Sequence, residues 1–313
     1  MRALVTGGSG FVGTHLCGAL LEAGHEVFSV DRQQGRSAAR QLFGDLSDEA
    51  SLRAALEEAR PEVVFHLAAQ AFVPLADREP VATYETNVVG TARLFAAIRA
   101  VCGQRPPRVL YLSSAEVYGA RDSADYPLRE ELMPRPATPY AASKLGGEAV
   151  AAAATASHGI PAVVARGFNQ IGPGQDARFA VPSFALRLAE IAAGAAPVLL
   201  VGNLEARRDF LDVRDSVRAY IELALHGRPG EVYNVCSGRP VTMKEVLLKL
   251  IALAQVPVEV REDPERLRPS DVPLFLGDAS KLRAATGWAP RFTLEASLRD
   301  VLEEARERVA AVP

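Results

Sequence analysis

Tyr140 and Lys144 stand four residues apart, the spacing that brings two side chains to one face of a helix. A free phenol titrates at about pH 10. A lysine ammonium beside it, together with the positive nicotinamide of an oxidised cofactor, lowers that value. The phenol can then give or take a proton near neutral pH while hydride moves. Ser113 and Ser114 end the apolar run that starts at Arg108. At the carboxyl end of a parallel strand, where open α/β sheets place ligands, a serine hydroxyl can polarise a carbonyl. A Tyr-x-x-x-Lys pair alone is commonplace and usually lies on a helix surface. One strand after a serine-ended strand, it is far more specific.

A second constellation lies at the start of the chain, in Val5-Thr6-Gly7-Gly8-Ser9-Gly10-Phe11-Val12-Gly13. Gly7 permits a tight turn, Gly10 lets backbone approach a pyrophosphate, and Gly13 lets the following helix pack on the sheet. The helix N-terminus presents free N–H groups and a positive dipole end to the anion. Asp31 falls at the end of the next strand, where a carboxylate accepts both adenosine-ribose hydroxyls. It repels a 2′-phosphate and so favours NAD(H). The adjacent Arg32 can pair with that phosphate, which leaves NADP(H) open. Asp45-Leu46 is read either as a turn before a helix or, through Asp45, as a hydrogen bond to the adenine amino group. The candidate dinucleotide contacts are thus Gly7, Gly10, Phe11, Val12, Gly13, Asp31, Arg32, Asp45 and Leu46, joined by Tyr140 and Lys144.

The elements that must hold these groups alternate. Strands are expected at Ala3–Thr6, Glu26–Val30, Val63–Leu67, Arg108–Ser113 and Ala162–Ala165. Between them fall helices at Phe11–Ala23, from Ser47 or Asp48 to about Ala59, from Pro80 to about Ala100, and at Tyr140–Ser157. This β-α-β rhythm means a doubly wound parallel sheet, a Rossmann-type α/β fold. After Arg166 the rhythm breaks in the glycine- and proline-rich stretch Gly167–Pro182. A smaller α/β domain is placed there. Residues 1–166 form the dinucleotide domain, with a return at 209–235, and residues 167–208 and 236–313 form the substrate domain. Thr242 and Glu245 make a capping box for a helix to about Ala254, and Thr293 caps a final helix.

The 313 residues are 49% hydrophobic and 23% charged with a net charge of −3, which excludes a disordered chain and gives no footprint for nucleic acid. No stretch reaches the roughly 18–20 apolar residues of a membrane span, and the glycines after Met1-Arg2 break any signal-peptide core. The three scattered cysteines, Cys17, Cys102 and Cys236, fit neither a disulfide scaffold nor a zinc site, and a cytoplasmic setting is expected. The five histidines are dispersed and imply no metal. His66 reads as a core residue, Cys236 as a small filler, Trp288 as a packing anchor, and Arg121–Pro139 as a lid or a surface loop.

Nearly end to end, the chain resembles the extended short-chain dehydrogenases/reductases that act on nucleotide sugars. The matching segments are Thr6–Gly13, His66-Leu67-Ala68-Ala69-Gln70, Asn87-Val88-Val89-Gly90-Thr91, Ser113–Gly119, Tyr140–Lys144 and Arg207-Arg208-Asp209-Phe210. Tyr233–Gly238, Arg266–Asp271 and Gly277–Lys281 are similar to the GDP-mannose branch. The resemblance implies that Ser114 polarises the carbonyl, Tyr140 is the acid/base, and Lys144 tunes the phenol and holds the nicotinamide ribose. It adds Leu67, Ala68, Ala69 and Gln70 to the cofactor set. It implies a GDP-linked hexose held by Asn169, Val181, Arg208, Arg268 and Asp271, and a homodimer built on the two long helices. Guanidinium forks such as Arg208 and Arg268 suit a diphosphate.

Glu116 stands where the dehydratases of this branch abstract the C5 proton, although its reductases can carry it too. Three departures point to the reductases. Gly8–Phe11 lacks the Thr-Gly-Gln-Asp-Gly style of turn, and Ala71-Phe72-Val73 is apolar where a polar segment is usual. Asp31 also stands where the dehydratases bind an NADP phosphate with arginines. The expected reaction is reduction of the C4 ketone of GDP-4-dehydro-6-deoxy-D-mannose. The alternatives are a 4,6-dehydratase or epimerase with tightly held NAD(P), and a silent dinucleotide sensor, against which the intact Ser114, Tyr140 and Lys144 argue.

Overall fold

The computed structural model describes residues 1–33, 35, 37–266 and 272–311. The first half runs β1 (Arg2–Thr6), α1 (Phe11–Glu22), β2 (Glu26–Asp31), β3 (Arg40–Phe43), α2 (Glu49–Ala59), β4 (Val63–His66), α3 (Val73–Arg78), α4 (Pro80–Tyr84), α5 (Gly90–Cys102), β5 (Arg108–Ser114), α6 (Pro139–His158) and β6 (Ala162–Gly167). The second half runs β7 (Asn169–Ile171), α7 (Ala180–Ala192), β8 (Val198–Val201), β9 (Arg207–Asp212), α8 (Val213–His226), β10 (Val232–Val235), β11 (Pro240–Thr242), α9 (Met243–Ala254), β12 (Glu259–Glu262), α10 (Ser280–Thr286) and α11 (Leu294–Ala310).

Seven strands form one sheet in the order β10-β6-β5-β4-β1-β2-β3. Each neighbouring pair is parallel. β4 and β6 are buried along their whole length, as strands covered on both faces must be. One face packs α1 and α8 through Leu16, Leu20, Val217 and Leu223. The other packs α2, α5 and α6 through Leu52, Leu94, Ile98 and Ala151. The strand order reverses between β1 and β4, and the crevice at their carboxyl ends is where such sheets bind ligands.

A third apolar cluster joins α7, α9 and α11 through Phe184, Leu188, Leu247, Leu250, Leu298 and Leu302. Beside it β7, β9 and β11 form a three-stranded sheet and β8 pairs with β12. The helix caps follow local chemistry. Asp48 accepts the Ala50 N–H ahead of α2, the Thr242–Glu245 capping box opens α9, and Thr293 opens α11.

One expectation changes and two gain detail. The helix from Pro80 to about Ala100 is interrupted by a π-turn at Glu85–Val89, with α4 before it and α5 after it. The stretch Gly167–Pro182 contains β7 and the start of α7. The Arg121–Pro139 segment is tied to the protein beneath it. The Tyr126 hydroxyl donates to Leu274 O (2.6 Å), Leu128 N–H to Leu276 O (2.8 Å), and Glu130 accepts the Asn234 N–H (2.7 Å). Trp288 is an anchor as expected, its indole N–H donating to Asp215 O at 3.1 Å.

Candidate active site

The turn between β1 and α1 is shaped by what glycine lacks. Gly7 takes φ of 73°, in the left-handed region. A Cβ on Gly13 would stand 2.1 Å from Gly7 O, so α1 can approach the turn this closely only with glycine there. The turn opens into a groove of about 1120 Å³ at the carboxyl ends of β1, β2 and β4. Gly7, Gly10, Phe11, Val12, Gly13, Asp31, Arg32, Asp45, Leu46, Leu67, Ala68, Ala69 and Gln70 all line it. A cradle of bare backbone at a helix N-terminus, opening into a groove of this size, fits a dinucleotide pyrophosphate.

At the adenosine end the Asp31 carboxylate accepts the Ser9 N–H (3.1 Å) and the Ser29 hydroxyl, which fixes it against the glycine turn. Asp45 accepts the Ser47 N–H at 2.8 Å. That bond, chiefly, holds its carboxyl below the ordinary range, with Arg32 and Arg93 contributing. Asp45 is therefore a turn residue that also faces the groove. Arg93 on α5 lines the same end and donates to Leu46 O at 3.3 Å, a contact the sequence reading missed.

The strand next to β4 carries the candidate catalytic groups. Ser114 ends β5, and its hydroxyl accepts the Glu116 N–H (3.2 Å) and lies near enough to Tyr140 to lower its phenol. Thr138 caps α6 by accepting the Ala141 N–H (3.1 Å), which places Tyr140 and Lys144 in the first turns. Lys144 is 4% exposed, with Nζ 4.7 Å from the Tyr111 ring centroid. Burial pulls its ammonium down to about 8, against the opposing pull of Glu148.

The expectation that Lys144 depresses the Tyr140 phenol is not what the chain alone does. Burial pushes Tyr140 up to about 12; Ser114 lowers it and Glu116 raises it. The residues as they stand keep the phenol protonated, which is the state a proton donor needs. The positive nicotinamide of the sequence argument belongs to the cofactor, so any fall in the phenol's value has to come with binding.

Between groove and helix lies a polar network that sequence reading named only as a motif. Asn87, in the π-turn, holds Gln70 by both its N–H (2.8 Å) and its C=O (2.9 Å), and donates to Ser143 Oγ (2.9 Å). Ser143 sits between Tyr140 and Lys144 in the chain. His66 is the core residue expected, bonded to Thr6 (2.8 Å) and Thr91 (2.9 Å), and burial holds it neutral with its value down to about 3. Ser113 does not face the groove chemistry; it donates to Glu148 at 2.5 Å. At the groove mouth, Phe72 meets Phe179 edge-on (5.8 Å) and Arg178 lies over the Phe72 ring (4.8 Å).

The expected sugar-nucleotide contacts are less uniform. Asn169 is exposed on β7, next to β9, which carries Arg208. Arg208 donates to Val272 O (2.7 Å) and stacks on Phe275 (5.5 Å). Val181 is 3% exposed and its side chain packs in the third apolar cluster. Arg268 and Asp271 lie outside the described residues. No group of metal-ligating side chains occurs among the described residues, nor any helix long and apolar enough to cross a membrane.

Fold and site together define a nicotinamide-dependent enzyme of the extended short-chain dehydrogenase/reductase type. The chain belongs to the GDP-mannose 4,6-dehydratase family, whose model matches residues 4–301. It is 40% identical to the GDP-6-deoxy-D-mannose reductase of Pseudomonas aeruginosa over 309 residues, 98% of each chain. It is 31% identical to the GDP-6-deoxy-D-talose 4-dehydrogenase of Aggregatibacter actinomycetemcomitans, over 97% of this chain and 96% of that one. Among solved structures it is similar to RMD from P. aeruginosa complexed with NADPH (TM-score 0.88, 37% identity, 98% of this chain and 100% of that one). It is equally similar in fold to the UDP-glucose 4-epimerase of Thermus thermophilus in complex with NAD (TM-score 0.88, 31% identity, 98% and 99%).

Proposed function

We propose that the protein reduces the C4 ketone of GDP-4-dehydro-6-deoxy-D-mannose with NAD(P)H, giving a GDP-6-deoxyhexose such as GDP-D-rhamnose. The observation that carries this reading is Tyr140, in the first turn of α6 and close enough to Ser114 at the end of β5 to feel its hydroxyl, held in its acid form. An alkoxide forming at C4 needs a proton donor, and a phenol at about 12 is one at neutral pH. The identity to a reductase over 98% of both chains supports the same direction.

Bound in the groove, the dinucleotide supplies the hydride. Ser114 donates a hydrogen bond to the C4 oxygen, Tyr140 passes its phenolic proton to that oxygen, and Lys144 holds positive charge behind the phenol. Asn169, Arg208, Arg268 and Asp271 grip the GDP half, in the part of the chain formed by 167–208 and 236–313. Residues 1–166, with the return at 209–235, hold the dinucleotide. NAD(H) is the preferred cofactor, on the strength of Asp31 at the end of β2. The working form is a cytoplasmic homodimer, and free cysteines suit that compartment.

A second reading, 4,6-dehydration of GDP-mannose, has one observation in its favour: Glu116 acts electrostatically on Tyr140, as a C5 base at this site would. The test is incubation with GDP-mannose alone, and with the 4-keto sugar plus NADH or NADPH. Consumption of reduced cofactor with the keto sugar alone supports reduction. Turnover of GDP-mannose without net redox change replaces it with dehydration.

A further inference from the structure

Arg166 and Glu148 form an ion pair at 2.7 Å with side chains only 4% and 8% exposed, the most completely buried pair among those described. Burying two charges costs desolvation that their attraction often fails to recover, so such a pair invites a reason beyond stability. Its location supplies one. Glu148 lies one helical turn beyond Lys144 on α6, on the same face. Its carboxylate is fixed on three sides, by Ser113 Oγ (2.5 Å), Arg166 Nε (2.9 Å) and Arg166 Nη2 (2.7 Å). Arg166 is fixed in turn over the Tyr118 ring (4.7 Å), whose hydroxyl donates to Asn234 on β10 (2.8 Å). The carboxylate cannot swing away from the helix without stripping two buried partners.

Lys144 stands in the same enclosure. From β4 it is faced by His66, which is neutral; from β5 by the Tyr111 ring, whose hydroxyl donates to Lys144 O (3.2 Å). From its own helix it is faced by Tyr140 and Glu148, and Glu116, after β5, bears on Tyr140. Of these, and with Arg166 facing Glu148 from β6, Glu148 is the carboxylate buried with Lys144 on one face of α6, one turn away, and it favours the charged amine.

We propose that Glu148 is a positioning residue for the reaction: anchored by Ser113 and Arg166, its carboxylate keeps the buried Lys144 charged at working pH. This rests on the reading that Lys144 serves Tyr140. It also gives Ser113, the serine that turns away from the groove, a part in the site. The direction follows from burial, which already draws Lys144 down to about 8. Without the carboxylate, the amine loses its support and faces an uncompensated Arg166, so its midpoint falls further.

The chain has four lysines, Lys144, Lys244, Lys249 and Lys281, so a pH titration with ¹³C-labelled lysine, read by NMR, resolves Lys144 once Lys144→Arg assigns it. In Glu148→Gln the Lys144 midpoint is expected to fall by about one pH unit or more. Because that variant leaves Arg166 unpaired, the double variant Glu148→Gln/Arg166→Met, which buries no lone charge, is measured beside it. It should show a fall in the same direction. An unchanged Lys144 midpoint in either folded variant overturns the proposal. The alkaline limb of the kcat profile, read on whichever of the two GDP-sugars the wild type turns over, should move to lower pH with the midpoint. A moved midpoint with an unmoved limb overturns the link to the reaction. Wild-type inactivity on both sugars defeats the proposed function instead, and the NMR titration still decides what Glu148 does to Lys144.

Discussion

On the proposed reading, Tyr140 concentrates the chemistry of the site in one oxygen. Replacing it by Phe removes that oxygen and leaves the ring to pack, so keto-sugar reduction should fall by roughly 10²–10⁴-fold while cofactor affinity barely changes. Steady-state rates and a fluorescence titration with NADH check both halves. Glu116→Gln keeps size and hydrogen bonding but cannot accept a proton. Ketone reduction removes no C5 proton and should survive within about tenfold, whereas dehydration of GDP-mannose should stop. Asp31 makes a separate claim. Its carboxylate, fixed by Ser9 and Ser29, lines the groove at the end of β2; on the proposed reading it repels a 2′-phosphate, so NADH should bind more tightly than NADPH and Asp31→Ala should erode the difference. A tenfold preference for NADPH in the native protein, about 1.4 kcal/mol, would mean that Arg32 decides instead. At this scale placement was readable wherever spacing alone sets it: the glycine turn and Asp31 line the groove, and Tyr140 and Lys144 share the first turns of α6. It was not readable where chemistry depends on which face a neighbour turns. Ser113 and Ser114 are identical as letters, and only the pleat of β5 sends one to Glu148 and the other to the Glu116 N–H.

Among elements, those with strong local signals stand where expected, including α2, α9 and α11 with their caps. Those decided by tertiary packing do not. β7 is three residues long, and its existence depends on pairing with β9, some forty residues further along the chain. The π-turn has no propensity signature, yet Asn87, a buried polar residue inside a helical pattern, was the available hint. The extra residue in that turn goes with an Asn87 side chain aimed at Gln70 and Ser143, and π-turns gather at functional sites for this kind of reason. Helix α6 offers the sharper test. Its approach to β5 depends on Gly147, where an added Cβ would fall 1.9 Å from the Tyr111 hydroxyl oxygen. Tyr111 is fully buried and cannot retreat easily, so Gly147→Ala should destabilise the fold by about 1–3 kcal/mol. Urea denaturation measures this as a lower midpoint at unchanged slope. Tyr111 also carries the ring against Lys144, so the same variant should lower turnover more than its stability loss accounts for.

For the whole molecule, the outstanding feature is a surface left uncovered on one side of the large sheet. Val81 is 68% exposed, and Tyr84 and Val89 are also exposed, all along α4 and the π-turn. Beside them on α6 lie Ala149, Ala152 and Ala153, and on α5 Ala92, all exposed small residues. Ala97, on the same helix as Ala92, faces inward and is fully buried. Apolar side chains next to a row of small residues let two helix pairs approach closely, the packing expected of a bundle formed by two copies. We expect a homodimer through α4, α5 and α6, with a dimer mass by light scattering at micromolar concentration. Val81→Glu and Ala153→Glu place charge of one sign on that face, and neither residue lines the groove or the cavity beside Glu148. In combination they should shift the mass toward the monomer while leaving NADH binding within about threefold, since like charges facing each other across a two-fold interface cost several kcal/mol. A variant that stays dimeric would move the interface to another face. A wild type that runs as a monomer at that concentration would leave this surface for a different partner.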